Sequence, residues 1–385
     1  MPRSSHCARY RVRFYLTGDQ NPAELSHVIS GLAALHSRKL LTLTLGVPPR
    51  GDGGLWGKAG LAAMAVTCPE TGKTTSIAID LHDRSDVFGS ELLERCDVYL
   101  KRSYYPPDVE SLAKTFQAKV VPFGLNYACR TAKSTVWTVA TLGLTYTMRF
   151  LRALSRGRAA LEEEVGIYFN YLATPNAVDF ECGPDVGLEP TVLFQTRVWE
   201  PEPSAEDFGP LNETRVALVR ALREEFGRQF VGGIVPTAYA MRYCPDVITK
   251  NPCRHGRYLA FSKKSLVAVC SRGLHHSLPF KLPEYLAGSK CIVSDQLRNT
   301  LPVPLVAGSH YLQFSTVDEC VRQCLEVFHR PELARELRGE SWAYYREEVA
   351  PDVHMANCIE RAVRWISRTA GTSAPWHAAN GGRVA

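Results

Sequence analysis

The sequence lacks the patterns of several common protein classes. It has 12 cysteines, but no two of them are separated by two residues, and Cys320 and Cys324 have no second ligand pair at usable spacing. The sequence therefore predicts no structural zinc site. Cysteines inside apolar runs, such as Cys270 and Cys291, are interpreted as reduced core residues. No internal repeat is visible.

Long apolar runs are also missing. The first residues contain no apolar core of a signal peptide, which favours a cytoplasmic protein. The most apolar stretch, Thr135 to Leu151, is shorter than the roughly 20 residues that a membrane span needs. We interpret it as a buried or half-buried helix. The alternative is peripheral contact with a membrane, which the nearby Arg149, Arg152, Arg156 and Arg158 favour.

No concentrated block of one charge is present either. The formal net charge is +6 over 385 residues, and the arginines are scattered along the chain. Nucleic-acid binders typically carry a denser basic stripe, so the sequence predicts no nucleic-acid partner. This mild positive charge suits phosphorylated small molecules and an anionic membrane surface equally well. The length exceeds what one hydrophobic core usually holds, which predicts two domains.

The first half of the chain alternates between strand-like and helix-like patterns. A hairpin is predicted around Pro69 to Gly72, between two apolar runs. Further strands are predicted at Tyr10–Leu16, Leu40–Leu45, Asp97–Leu100 and Lys119–Val121. A helix is predicted at Asn21–Leu35. Such alternation is typical of a parallel sheet covered by helices.

The second half repeats this alternation after a Pro/Gly/Asp-rich linker, Leu172 to Pro190. Asn212 is predicted to cap a helix that runs to about Phe226. The predicted strands are Thr191–Thr196, Phe230–Val235, Ser265–Cys270, Cys291–Ser294 and His310–Phe314. The domain prediction is an N-terminal acceptor domain at 1–185, a donor domain at 186–346, a helix returning to the first domain at 347–371, and a flexible tail at 372–385.

One segment of the second half carries the pattern of a ligand site. The strand ending at Cys270 leads into Ser271-Arg272-Gly273, at the sheet edge where open α/β sheets bind ligands. His275 and Ser277 follow, and then a helix is predicted from Phe280 to Ala287, whose N-terminus favours a diphosphate. On its accessible face we expect Lys281 to contact phosphate and Glu284 to accept hydrogen bonds from ribose hydroxyls.

The run from Phe280 to Gly288, followed by the strand Cys291-Ile292-Val293, resembles the group 1 family of GT-B glycosyltransferases. That resemblance implies an α/β fold with two Rossmann-like doubly wound domains facing a cleft. It also implies a nucleoside-diphosphate sugar as donor, with no metal and no other cofactor. In the family pattern two glutamates are separated by seven residues. Glu284 matches the second, which holds the donor ribose, whereas His276 stands at the first.

The same resemblance assigns the other candidate residues. Arg197, after the first strand of the second domain, is expected to bind the diphosphate, with Lys281 as the substitute for the Lys that commonly follows it in the family. Gly273, His275 and Ser277, in the turn at the strand end, are the further donor-binding candidates. His276 is a catalytic candidate, but its departure from glutamate leaves open whether the anomeric configuration is retained or inverted.

Polar residues at strand ends of the first domain are the acceptor-side candidates. His82 or Asp83 is predicted to act as the general base of an inverting enzyme or to bind acceptor hydroxyls. The other acceptor-side candidates are Asp80, Lys101, Arg102 and Asn126. The acceptor itself, a carbohydrate, a lipid or a protein, stays open.

Two other interpretations compete with sugar transfer. A sugar-nucleotide epimerase of the GT-B type would use the same donor pocket and act on the bound sugar itself. A non-catalytic binding or scaffold protein on the same fold is the second alternative, because His276 replaces a family glutamate.

Overall fold

A computed structural model describes residues 10–15, 20–46, 60–131, 134, 150–151, 153–201, 208–369 and 375–376. It divides into two compact units. Unit 1 comprises residues 1–177, 300–302 and 348–385, and unit 2 comprises residues 178–299 and 303–347. The predictions for 135–149 and for nearly all of the tail at 372–385 lie outside the described residues.

The described helices have the following bounds in chain order. They are α1 Ser26–Ser37, α2 Ser90–Arg95, α3 Pro106–Glu110, α4 Lys114–Gln117, α5 Arg158–Leu172, α6 Ala177–Phe180, α7 Phe208–Phe226, α8 Ala238–Tyr243, α9 His255–Ser262, α10 Leu282–Ala287, α11 Val317–His329, α12 Pro331–Tyr344 and α13 Pro351–Thr369. Sequence periodicity misses the short α8 and α9.

Unit 1 is built on a six-stranded sheet. Its strands are β1 Tyr10–Tyr15, β2 Leu41–Gly46, β3 Leu61–Thr67, β4 Thr74–Asp80, β5 Val98–Lys101 and β6 Val120–Pro122, in the order β2-β1-β3-β4-β5-β6. β3 runs antiparallel to both of its neighbours, β1 and β4, and the predicted hairpin joins it to β4; the other pairs are parallel. Gly72 has φ +67° in the hairpin turn, a conformation that favours glycine.

The core of unit 1 depends on close packing between α1 and α13. A Cβ atom on Gly31 of α1 would lie 2.1 Å from the carbonyl oxygen of Pro351, so only glycine allows this approach. Met355, Cys358 and Trp365 of α13 are buried in the same hydrophobic core as the strands. Helix α13 therefore belongs to the fold of unit 1.

Two buried histidines link three segments of this core. His27 Nε2 lies 2.9 Å from His354 Nδ1, and His354 Nε2 lies 2.8 Å from the carbonyl oxygen of Phe123. Since that carbonyl only accepts, His354 donates from Nε2 and accepts from His27. Burial lowers the pKa of His354 to about 4 and holds the pKa of His27 well below its ordinary value. Both rings are therefore neutral in the folded protein at neutral pH.

Unit 2 is built on a parallel sheet. Its strands are β7 Glu189–Thr196, β8 Phe230–Ile234, β9 Ser265–Cys270, β10 Cys291–Asp295 and β11 Leu312–Phe314, in the order β11-β10-β9-β7-β8. All the described pairings in this sheet are parallel. Helices α7, α11 and α12 bury apolar residues against it. The predicted α/β class with two Rossmann-like units is confirmed.

The predicted capping role of Asn212 is wrong. The helix already includes Phe208, so Asn212 lies inside it, and its side chain is buried. Its Oδ1 accepts from the backbone N–H of Trp199 at 3.0 Å, and its Nδ2 donates to the Trp199 carbonyl at 2.7 Å. Asn212 thus fixes the segment that follows β7. This is a tertiary contact, which a local capping pattern does not predict.

Candidate functional site

The turn after β9 is tightly closed and strained. The Gly273 N–H donates to the Ser277 carbonyl at 2.8 Å, and the Ser277 N–H donates to the Leu274 carbonyl at 3.0 Å. A Cβ atom on Gly273 would lie 2.2 Å from Ser277 Oγ. His275 and His276 have φ values of +55° and +57°, in the left-handed region that costs a residue other than glycine about 1–2 kcal/mol. Such strain clusters at functional sites.

Lys281 stands at the start of α10, which begins at Leu282 rather than at the predicted Phe280. The Lys281 ammonium lies 3.3 Å from the centroid of the Tyr258 ring, a cation–π contact. Tyr258 is itself buried, and its hydroxyl is 2.8 Å from that of Tyr285. Burial lowers the pKa of Lys281 to about 8, with the Glu284 carboxylate opposing this effect.

Glu284 lies on the buried side of α10, not on the accessible face that the sequence predicts. The residue is 8% exposed, and its Oε1 lies 3.3 Å from His255 Nε2. The His255 ring also meets Phe180 edge-on, with centroids 5.6 Å apart. Lys281, which directly precedes α10, and Glu284 are three positions apart. They lie close enough for their charges to interact but form no ion pair among the described contacts.

The other predicted donor residues occupy the same edge of the sheet. Arg197 follows β7 and is exposed, and its positive charge adds to the lowering of the Lys281 pKa. Ser277 is buried, and the His275 ring lies 6.2 Å from Phe208. His276 is exposed. The carboxyl edge of β7 and β9 therefore carries Arg197, Lys281 and Glu284 beside the strained turn.

In unit 1, Asp80 is the centre of a saturated hydrogen-bond network. Its Oδ2 accepts from the Tyr99 hydroxyl at 2.6 Å and from the Lys101 ammonium at 2.8 Å. Its Oδ1 accepts from the His82 backbone N–H at 2.9 Å, and His82 Nδ1 lies 2.8 Å from the same oxygen. Burial opposes ionisation, but His82 and Lys101 together lower the pKa of Asp80.

Asp80 and Lys101 are both fully buried, so neither side chain reaches an acceptor in this conformation. Lys101 also donates to the Val87 carbonyl at 2.5 Å. We therefore assign both residues to the structure of unit 1 rather than to acceptor contact. Their position at strand ends is as predicted, whereas their accessibility differs from the prediction.

Next to that network lies a group of partly exposed charged residues. The Asp83 carboxylate pairs with the buried Arg102 guanidinium, and His82 is 37% exposed at its side chain. Glu24, which no sequence pattern marks as a candidate, interacts electrostatically with His82, Asp83 and Arg102, and burial raises its pKa. Its position before α1 gave no local signal. The structure thus brings His82, Asp83 and Arg102 together.

Asn126 differs from these residues in its surroundings. It is 4% exposed, and its Oδ1 has no hydrogen-bond partner among the described residues. The same holds for the hydroxyl of the buried Ser103, which follows β5. Buried polar atoms without a partner are unusual in proteins, so Asn126 stays an acceptor-side candidate and Ser103 is added to it.

The described residues also bear on metals and membranes. Among them, no group of three or more histidine, cysteine, aspartate or glutamate side chains is arranged to hold a metal ion. None of the helices within the described ranges has the length and apolar composition required to cross a bilayer.

Comparison with known proteins finds similarity only at the level of three-dimensional structure. No family model matches the sequence, and no curated protein matches it. Among solved structures, the chain is similar to a glycosyltransferase from Rickettsia africae, with 9% identity, a TM-score of 0.41, and 89% of this chain and 81% of that chain covered.

Two further solved structures illustrate the range of activities. A putative UDP-N-acetylglucosamine 2-epimerase from Listeria monocytogenes is 13% identical, with a TM-score of 0.38 and coverage of 95% of this chain and 99% of that chain. The C-terminal domain of a glycosyl transferase group 1 family protein from Francisella tularensis is 6% identical, with a TM-score of 0.31 and coverage of 42% and 87%. These similarities do not distinguish transferase from epimerase.

Proposed function

We propose that the protein transfers a sugar from a nucleoside-diphosphate sugar to an acceptor hydroxyl, without a metal. The observation that carries this proposal is the edge of unit 2 where the half-buried Lys281 cation stands beside the buried Glu284 carboxylate. Lys281 has an aromatic ring beneath it and no ion pair among the described residues, so its charge is available to an anion.

In this proposal each residue of unit 2 has one role. Lys281 and Arg197 neutralise the charge of the bound diphosphate. They also stabilise the further negative charge that develops on the diphosphate as its bond to the sugar breaks. Glu284 accepts hydrogen bonds from the ribose hydroxyls, with its other contact, His255, holding the carboxylate in place. The strained Gly273–Ser277 turn completes the diphosphate site beside these residues.

On the acceptor side we propose His82 as the general base. Asp80 accepts from Nδ1 of His82, which directs the basic lone pair to Nε2. The acceptor oxygen forms a bond to the anomeric carbon while the bond from that carbon to the diphosphate breaks, and the hydroxyl proton passes to His82. A single displacement of this kind inverts the anomeric configuration. Asp83 is held by Arg102 and is the weaker candidate.

The donor part is tested by a thermal-shift screen against nucleotides and nucleotide sugars. We expect nucleoside diphosphates and their sugars to raise the melting temperature. Lys281→Ala and Glu284→Ala should each weaken binding about 10- to 100-fold, the effect of a lost charge-assisted hydrogen bond. The matched controls are Lys264→Ala and Glu189→Ala, an exposed pair 4.0 Å apart at the opposite, amino end of β7 and β9. A folded protein that binds no member of the panel contradicts the proposal.

The reaction class is tested by incubating the protein with the donor that binds best. Slow hydrolysis without acceptor, and no new sugar isomer, is expected of a transferase. A new epimer formed without acceptor would support the epimerase instead. His82→Gln should lower turnover with little change in donor affinity, because His82 belongs to unit 1. Unchanged biological function in Lys281→Ala and Glu284→Ala would support a scaffold.

A further inference from the structure

A buried arginine connects the strand ends that carry the proposed donor residues. Arg215 lies in the middle of α7 and is 6% exposed. Its Nη1 donates to the Arg197 carbonyl at 2.8 Å, its Nε donates to Ser271 Oγ at 3.0 Å, and its Nη2 donates to the Arg272 carbonyl at 2.7 Å. One side chain thus ties the segment after β7 to the segment after β9.

The peptide groups of Arg272 are held from a second direction. The backbone N–H of Arg272 donates to Asp295 Oδ2 at 2.8 Å, and Asp295 is the last residue of β10. Arg215 and Asp295 therefore grip the carbonyl and the N–H of the same residue. Because β10, β9 and β7 are neighbours in the sheet, these contacts join three adjacent strand ends.

The residue held in this way directly precedes the strained turn. Gly273 follows Arg272, and the left-handed His275 and His276 come next. A strained backbone conformation persists only where contacts with the surrounding structure stabilise it by more than the strain costs. Arg215 and Asp295 supply such fixing contacts at the start of the turn.

The opposite charges of Arg215 and Asp295 stabilise each other. Burial raises the pKa of Asp295 to about 6, and the cations of Arg272 and Arg215 oppose that rise. The remaining oxygen of Asp295, Oδ1, has no hydrogen-bond partner among the described residues. The cost of burying this carboxylate indicates that its contact with Arg272 serves a purpose beyond packing.

We propose that Arg215 and Asp295 are positioning residues that hold Arg197 and the Gly273–Ser277 turn in the geometry that binds the diphosphate of the donor. The proposal rests on the proposed function, since it names the residues that prearrange that site. Neither residue needs to contact the ligand. Misplacement of binding groups by about 1 Å can cost about 100-fold in a reaction that depends on their geometry.

The test uses the full chain with inorganic pyrophosphate as the probe, so that no nucleotide base has to be known. Arg215→Met should raise the Kd for pyrophosphate at least about tenfold. It should also speed hydrogen exchange of the Gly273 and Ser277 amides, which are hydrogen-bonded within the turn. Arg220→Met is the matched control, because Arg220 lies on the same helix but pairs with the exposed Asp246. It should change neither quantity.

Conservative variants separate positioning from general stability. Asp295→Asn keeps an oxygen that accepts from the Arg272 N–H and should retain pyrophosphate affinity, whereas Asp295→Ala should lose it. Arg215→Lys has one donor nitrogen in place of the three that contact Ser271 and the two carbonyls. Its pyrophosphate affinity should lie between those of wild type and Arg215→Met. It also serves if Arg215→Met does not fold.

Unchanged Kd and unchanged exchange at Gly273 and Ser277 in folded Arg215→Met would overturn the proposal. Equal affinity of Asp295→Ala and Asp295→Asn would do the same. A wild-type protein that binds neither pyrophosphate nor any nucleotide would instead refute the proposed function, and the exchange measurement would still report whether Arg215 holds the turn.

Discussion

Each unit places a lysine and a carboxylate at the carboxyl edge of its sheet, yet the two clusters differ in how their charges are paired. In unit 1 Lys101 and Asp80 are 2.8 Å apart and both are fully buried. Asp80 also accepts from Tyr99 and His82. In unit 2 the half-buried Lys281 lies over Tyr258 and has no such partner within the described residues.

This difference separates the Asp80 cluster, which is structural, from the proposed ligand site at Lys281. A buried charge must be paired and hydrogen-bonded, and the Asp80 cluster meets that need from protein groups alone. The Lys281 cluster does not, and the lowered Lys281 pKa records the cost. An anionic ligand would remove that cost by supplying the missing negative charge. A lysine at the carboxyl edge of a sheet therefore indicates an anion-binding site only when no carboxylate of the protein pairs with it.

The largest expected effect comes from exchanging the two lysines for methionine. Lys101→Met should lower the free energy of unfolding by about 3–5 kcal/mol, since it leaves the Asp80 charge buried without its partner. Lys281→Met should change it by less than about 1 kcal/mol, because it replaces a poorly paired cation by an apolar group. Urea unfolding, monitored by hydrogen exchange in peptides of β4 and β9, measures both changes in the free energy of unfolding.

A second substitution controls for packing in unit 1. Adding Asp80→Asn to Lys101→Met removes the uncompensated charge and should recover part of the lost stability. If Lys101→Met and Lys281→Met destabilised their units equally, the contrast between the clusters would be lost.

The sequence predicted the positions of these clusters better than their pairing. Alternating strands and helices located the strand ends, and with them Asp80, Lys101, Lys281 and Glu284. Whether a lysine meets a carboxylate depends on strand register, however. Asp80 and Lys101 are direct partners in the β4–β5 pairing, although 21 residues separate them. No local pattern encodes that contact, which is why both were predicted to face an acceptor.

The two residues proposed to position the turn are absent from the sequence predictions for a related reason. Arg215 occupies the buried face of α7, among Leu211, Leu218 and Leu222. A charged residue on an apolar helix face is a usable signal, because it must find partners in the fold. Those partners are backbone groups after β7 and β9, and only the assembled sheet shows them. Asn212, three positions earlier on the same face, was misread as a cap for the same reason.

The two units should also respond to acid with opposite sign. In unit 1 the pKa of His354 is about 4, below its ordinary 6.5, so the unfolded chain binds more protons between these values and stability rises with pH. In unit 2 the pKa of Asp295 is about 6, above its ordinary 3.8, so the folded state binds more protons and stability falls as pH rises. Each slope reaches at most about 1.4 kcal/mol per pH unit.

Hydrogen exchange between pH 4 and 6, corrected for the intrinsic exchange rate, separates these contributions. Peptides of α1 and α13 report on unit 1, and peptides of β9 and β10 report on unit 2. His354→Gln should flatten the first slope and Asp295→Asn the second. Slopes of the same sign that neither variant alters would show that other groups control the acid response.

The smallest effect concerns backbone strain, which both units contain. Lys39, two positions after the end of α1, has φ +59°, and His276 in the Gly273–Ser277 turn has φ +57°. Glycine at either position should raise the free energy of unfolding by about 1 kcal/mol, since it adopts this conformation without a Cβ penalty. Only His276→Gly should also weaken pyrophosphate binding, by a few-fold, because a looser turn must be ordered again when the ligand binds. Melting temperatures and calorimetric titration of both variants measure this difference. If His276→Gly were more stable and bound pyrophosphate as well as wild type, the strain in that turn would be as incidental as that of Lys39, and the turn would not belong to the donor site.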